Sequence, residues 1–127
     1  YLQDYEEVYD YRNIEVTIDE QDIFNVTINE SLAVALLTNL LKNAFVHNID
    51  GGHIRITVTK NSITFRNSGV KNPLDKEHIF ERFYQGTKKE GSTGLGLAIA
   101  DSICRLQHLS IRYYFEQKEH CFEISRQ

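Results

Sequence analysis

Ile14-Glu15-Val16-Thr17-Ile18 places an apolar side chain at every second position, the spacing of a half-buried strand. Phe24-Asn25-Val26-Thr27-Ile28 repeats that alternation after the turn-like stretch from Asp19 to Asp22, which predicts a second strand. The period then lengthens. From Ser31 to His47 a stripe through Leu32, Leu36, Leu40 and Ala44 predicts an amphipathic helix, with Asn29 placed to cap it and Glu30 favourable to its dipole. Asn48 to Gly52 breaks the pattern. Two further strands are expected at His53–Thr59 and Ile63–Arg66, joined as a hairpin through Lys60-Asn61-Ser62. Residues 67–93 are polar and irregular, with one helical turn expected around Asp75–Phe83. A glycine-led helix from Gly94 to about Gln107 comes next, and Leu109–Glu116 with His120–Ser125 predict a closing hairpin. Hairpins in place of βαβ alternation predict an α+β fold, helices on one face of a mixed, mostly antiparallel sheet. They weigh against a doubly wound dinucleotide fold.

Composition narrows this picture without naming a function. The length, 127 residues, suits one domain with its own core. Leu2, Tyr5 and Tyr9 stand at helical intervals with no start signal before them. Residues 1–10 are therefore expected to be the end of a helix from an upstream domain, with 11–127 as the main domain. A net charge of −4 argues against a general nucleic-acid binder. No apolar run approaches the roughly 20 residues that span a bilayer. Cys104 and Cys121 are far apart and form no paired zinc motif, and two separated thiols suit a reducing cytoplasm.

Two constellations carry chemistry. In Ser92-Thr93-Gly94-Leu95-Gly96-Leu97 two glycines run straight into a helix start, where unpaired N–H groups and a partial positive charge can cradle a phosphate. The same pattern also serves as a plain tight connection. Asn39, Asn43 and His47 stand at i, i+4 and i+8, on one face of the leucine-rich helix. They form either a solvated polar stripe or a set of neutral oxygen donors suited to Mg²⁺ beside substrate phosphates.

Asn39-Leu40-Leu41-Lys42-Asn43-Ala44 resembles the N box of sensor histidine kinases, within the GHKL superfamily of ATPases. Three more boxes follow in the family's order. Asn67-Ser68-Gly69 stands at the first glycine box, Ile79-Phe80-Glu81-Arg82-Phe83-Tyr84 at the F box, and Gly94-Leu95-Gly96-Leu97 at the second glycine box. The resemblance runs from about Tyr11 to Glu123 and implies a two-layer α/β sandwich of the GHKL type that binds ATP and Mg²⁺. It implies that Asn43 ligates the metal, that Asn39 supports the phosphates, and that Gly94, Leu95, Gly96 and Leu97 line them. Asn67 and Gly69 would meet adenine. His47 either stacks on the base or is a helix-end histidine. Phe80 and Phe83 would anchor a lid over residues 84–93. Arg82, Lys88 and Thr93 would reach the phosphates, the basic pair being otherwise ordinary surface charge.

The five histidines (47, 53, 78, 108 and 120) lack the flanking pattern of a phosphoacceptor site. The resemblance therefore places no catalytic nucleophile in this chain. It implies an upstream dimerisation domain carrying the acceptor histidine, a downstream response regulator, and a monomeric fragment of a homodimeric, membrane-anchored parent whose domain is cytoplasmic. Three positions depart from the family. Asn67 replaces an adenine-reading aspartate, Val70 follows Gly69 with no second glycine beyond it, and Val46 stands where a basic residue is common. These departures leave two rivals: a degenerate GHKL domain that only docks partners, and another GHKL member such as an anti-sigma serine kinase or gyrase-type ATPase. The F box favours the sensor-kinase branch.

Overall fold

A computed structural model describes residues 13–84 and 94–127. The elements run β1 (Glu15–Glu20), α1 (Glu30–Val46), β2 (His53–Val58), β3 (Ser62–Asn67), α2 (Gly96–Leu106), β4 (Leu109–Glu116) and β5 (Glu119–Arg126). The five strands form one sheet in the order β1-β2-β3-β5-β4. β1 lies parallel to β2 and every other pair is antiparallel, so the sheet is mixed and mostly antiparallel, as the hairpin-rich order predicts. Residues 1–12, including the expected upstream helix end, and residues 85–93 lie outside the described residues.

Register sets inward side chains in rows across the sheet. Ile56 faces Phe65, Phe65 faces Phe122, and Phe122 faces Tyr113. A second apolar row runs Val58, Ile63, Ile124 and Ile111. α1 and α2 cover these rows, and Leu36, Leu40, Phe45, Ala100 and Ile103 complete a single buried core. The row nearest the ends of β3 and β4 differs: Ile54, Asn67, His120 and Phe115 put two polar residues on an otherwise apolar face. On the outer face charges pair across strands. Arg55 and His53 both reach the nearly buried carboxylate of Glu119, at 2.9 and 2.7 Å, and Arg112 reaches Glu123 at 2.6 Å.

One predicted strand is absent. Residues 24–28 bond to no ladder, although Phe24, Val26 and Ile28 do turn inward against the core. Arg126 holds this segment through the Asn25 carbonyl at 3.1 Å and lies over the Phe24 ring. Alternation requires one buried face, not a hydrogen-bonded neighbour, and packing alone satisfies it here. The expected helical turn near 75–83 is a chain of short turns, closed by His78, Glu81 and Tyr84 N–H groups three residues apart. Asn29 caps α1 as expected, its side chain accepting from the Leu32 N–H at 3.1 Å.

Candidate functional site

The α1 stripe is half-buried at Asn39, Asn43 and His47, while the opposite side of the helix enters the core. Asn39 donates to the Ala35 carbonyl at 2.8 Å, which fixes its carboxamide and leaves the oxygen facing α2. A Cβ at Gly96 would come 3.2 Å from that oxygen. Glycine there lets the start of α2 approach the stripe. Among the described residues, the Asn43 carboxamide has no hydrogen-bond partner, so its oxygen is available to a ligand. Val46 is buried: its position on the helix belongs to the core face, and a basic side chain there would be desolvated.

α2 begins differently from α1. Leu95 occupies the N-cap with no side-chain cap, and the first turn carries no acidic residue. Neither the Leu95 side chain nor an acid in the first turn offsets the positive end of the helix. Gly94 precedes it at φ +74, and its carbonyl accepts from the Phe83 N–H at 2.6 Å. A Cβ on Gly94 would meet the Phe83 backbone at 2.7 Å, so both conformation and space require glycine. This contact joins Phe83 and Gly94, the residues that flank 84–93 in the sequence. Lys88 and Thr93 fall outside the described residues.

The F box anchors differently from expectation. Ile79 is buried and Phe80 packs edge-on against Phe122 with centroids 6.3 Å apart. Phe83, expected as a second anchor, is 66% exposed in the left-handed region at φ 65. Its backbone serves the Gly94 clamp, which turns the ring outward beneath Arg82, whose guanidinium lies 5.5 Å from the ring centre. Arg82 is exposed beside the clamp. Tyr84 takes a partly buried place against the core.

At the other end of the stripe, Asn67 is 2% exposed. Its amide N–H donates to the Ser68 carbonyl at 2.8 Å, yet among the described residues its buried side-chain oxygen has no partner. An unsatisfied buried acceptor costs about 1–3 kcal/mol, which a donor placed against this oxygen would recover. Two residues on, Gly69 slips between α1 and the sheet. A Cβ there would come 2.8 Å from the His47 carbonyl and 3.2 Å from the His120 ring. Asn39, Asn43 and His47 thus connect the start of α2 with the loop after β3.

Three residues that shape this floor were not legible as site residues in the sequence. Asn48 is fully buried and donates to the Ala44 and His53 carbonyls, while its oxygen accepts from Ile49 N–H and the Ser68 hydroxyl. It ties the end of α1 to Ser68, beside Asn67. A Cβ at Gly52 would overlap the Asn48 oxygen and the Ser68 hydroxyl, which accounts for the second glycine of the Gly51-Gly52 pair. His120 and Tyr113 are the others, joined at 2.7 Å. Burial pushes His120 below the usual histidine range, opposed by its bond to the Val70 carbonyl. Inward parity with Phe122 and Ile124 was the only sequence signal for His120.

Both cysteines are buried. Burial, reinforced by Asp101, pushes Cys104 up to about 11, and burial also raises Cys121. Asp75, Glu77 and His78 form a surface cluster whose internal bonds build the turn, including the 2.6 Å pair of His78 with Asp75. That hydrogen bond raises His78 and lowers Asp75.

A family model described as histidine kinase-, DNA gyrase B-, and HSP90-like ATPase matches residues 28–125. The chain belongs to this ATP-binding family. Its relatives specify the branch. Sensor histidine kinase RppB from Synechocystis is 43% identical over 84 residues, 59% of this chain and 18% of the relative. Heme sensor protein HssS from Staphylococcus aureus is 36% identical over 109 residues, 82% of this chain and 24% of the relative. The chain therefore spans a quarter or less of these curated relatives. The solved catalytic domain of histidine kinase ThkA matches with a TM-score of 0.79 at 26% identity, covering 94% of this chain and 82% of that one. ThkA in complex with the response regulator protein TrrA matches at 0.72 with 25% identity, over 97% and 37% of the two chains. The chain is a histidine-kinase-type ATPase domain.

Proposed function

We propose that this domain binds Mg·ATP between α1 and the start of α2 and presents the γ-phosphate to a histidine on an upstream dimerisation domain. The observation that carries the reading is the buried, unpartnered oxygen of Asn67, an acceptor that the exocyclic amino group of adenine would satisfy. Its amide N–H is engaged by the Ser68 carbonyl, which keeps the oxygen as the group offered. Gly69 gives the base a close approach, with His47 at the end of the stripe beside it. Asn43 offers a neutral oxygen of the kind a hard cation accepts, and Asn39 steadies the facing wall. Mg²⁺, when bound, supplies charge neutralisation across the phosphates. The uncapped first turn of α2, with Gly94 and Gly96 before and within it, offers backbone N–H groups to the same phosphates. Arg82, which lies over the ring of the clamp residue Phe83, is assigned to the phosphate side with Lys88 and Thr93.

Nothing in this constellation needs to attack phosphorus. Phosphoryl transfer rests on positioning and charge stabilisation, so a domain that holds the donor can act on a nucleophile supplied by another domain. The parent is accordingly read as a homodimeric, membrane-anchored sensor kinase, with this domain in the cytoplasm and a response regulator downstream. Among the described residues, no helix is long and apolar enough to cross a membrane. Millimolar Mg·ATP should raise the melting temperature by several degrees, as binding to the native state requires. No shift would favour a partner-docking module instead.

A further inference from the structure

The row Ile54, Asn67, His120, Phe115 puts an imidazole directly across from the residue assigned to the base. His120 is 3% exposed, and its bonds define its state. Its Nε2 lies 2.7 Å from the Val70 carbonyl, which can only accept, so Nε2 carries the proton. Nδ1 then accepts from the Tyr113 hydroxyl at 2.7 Å. The hydroxyl oxygen in turn accepts from the Leu74 N–H at 2.9 Å. Every polar atom of the pair is used, and both ends of the relay terminate on the backbone of one loop. The ring also packs beneath Gly69, whose missing Cβ would touch it.

That loop carries Gly69 and lacks the second glycine of the family's box. Lys71 occupies the position, and the backbone accepts it because no residue from 69 to 74 adopts a positive φ. A loop without regular structure of its own then needs tethers to keep one conformation. It has them at Ser68 through Asn48, at Val70 through His120, and at Leu74 through Tyr113.

We propose that His120 and Tyr113 are positioning residues of the nucleotide site, holding the base-side loop from Gly69 to Leu74 in its binding conformation through two backbone contacts. Neither side chain needs to touch the nucleotide. The inference rests on the nucleotide reading above.

The test is calorimetric titration of Mg·ADP into the wild-type chain, Tyr113→Phe, His120→Gln and Leu109→Ala, at a temperature where circular dichroism shows each folded. Leu109 is buried at the far end of β4 and serves as the control for lost stability alone. Tyr113→Phe keeps the ring and removes one oxygen, so it decides the matter if His120→Gln does not fold. Both relay variants should bind about three- to tenfold more weakly, the loss typical of one hydrogen bond, while Leu109→Ala melts earlier and binds as the wild type does. Wild-type binding with unchanged affinity in the folded relay variants overturns the inference alone. A wild type that binds no ADP overturns the nucleotide reading and this inference with it.

Discussion

Asn43 and Asn67 do opposite things with the same functional group. Among the described residues, half-exposed Asn43 has no partner for its carboxamide, and buried Asn67 has one atom satisfied and the other not. Replacing Asn43 with alanine should abolish the Mg²⁺ enhancement of nucleotide affinity. Stability should hold or rise by about 0.5 kcal/mol, because alanine is the better helix former. Calorimetry beside chemical denaturation separates the two effects, and unchanged Mg²⁺ dependence would remove Asn43 from the metal. Gly52→Ala is the structural counterpart. The added methyl overlaps the Asn48–Ser68 contact and should cost about 1–3 kcal/mol in urea denaturation; a neutral result would contradict the packing described. The sequence made Asn39 and Asn43 conspicuous because spacing alone puts them on one helix face. Asn48 was invisible as a hub, since its partners lie at Ala44, His53 and Ser68 and meet only when α1, β2 and β3 assemble.

At the scale of elements, the two helices divide the work. α1 is closed at its start by Asn29 and carries the half-buried polar stripe along its second half. α2 starts on Leu95, with no side-chain cap and no acid in its first turn. Asn29→Ala should therefore destabilise the fold by about 1 kcal/mol, read by urea denaturation, without changing nucleotide affinity. Weakened affinity at full folding would mean that the α1 start reaches the site. Element types were largely legible from hydrophobic period, and β4 at 109–116 appears at its expected bounds. The failure at 24–28 has a local cause: alternation reports burial on one side, and Arg126 supplies the restraint that a ladder would have given. Phe83 failed for another reason. An aromatic in the F box reads as core, but the left-handed turn that meets Gly94 points its ring to solvent.

For the whole molecule, the sheet separates stability from chemistry by row. Two inward rows are apolar, and the row at the site end carries Asn67 and His120. This gives stability a pH signature. Burial lowers His120, so its folded value lies below its unfolded one. The stability it contributes is present above about 6.5 and is lost as pH falls through the folded value. Exposed His78 runs the opposite way: its hydrogen bond with Asp75 raises it, and its contribution is lost as pH rises through that raised value. Comparing melting temperatures from pH 7.5 to 5.5 in wild type and His120→Gln cancels the His78 effect. The wild type should lose stability more steeply on acidification, and parallel curves would contradict a neutral buried imidazole. Sequence gave no warning of this coupling, because it depends on β5 lying beside β3 across a separation of some fifty residues.

In the proposed function, α1, the loop after β3 and the start of α2 form one Mg·ATP site despite Asn67, Val70 and Val46. Calorimetric titration with a non-hydrolysable ATP analogue, with and without Mg²⁺, tests it most directly. Saturable binding strengthened by Mg²⁺ is the expected result. No binding up to millimolar analogue would contradict it, and the domain would then be a docking module built on an ATPase fold.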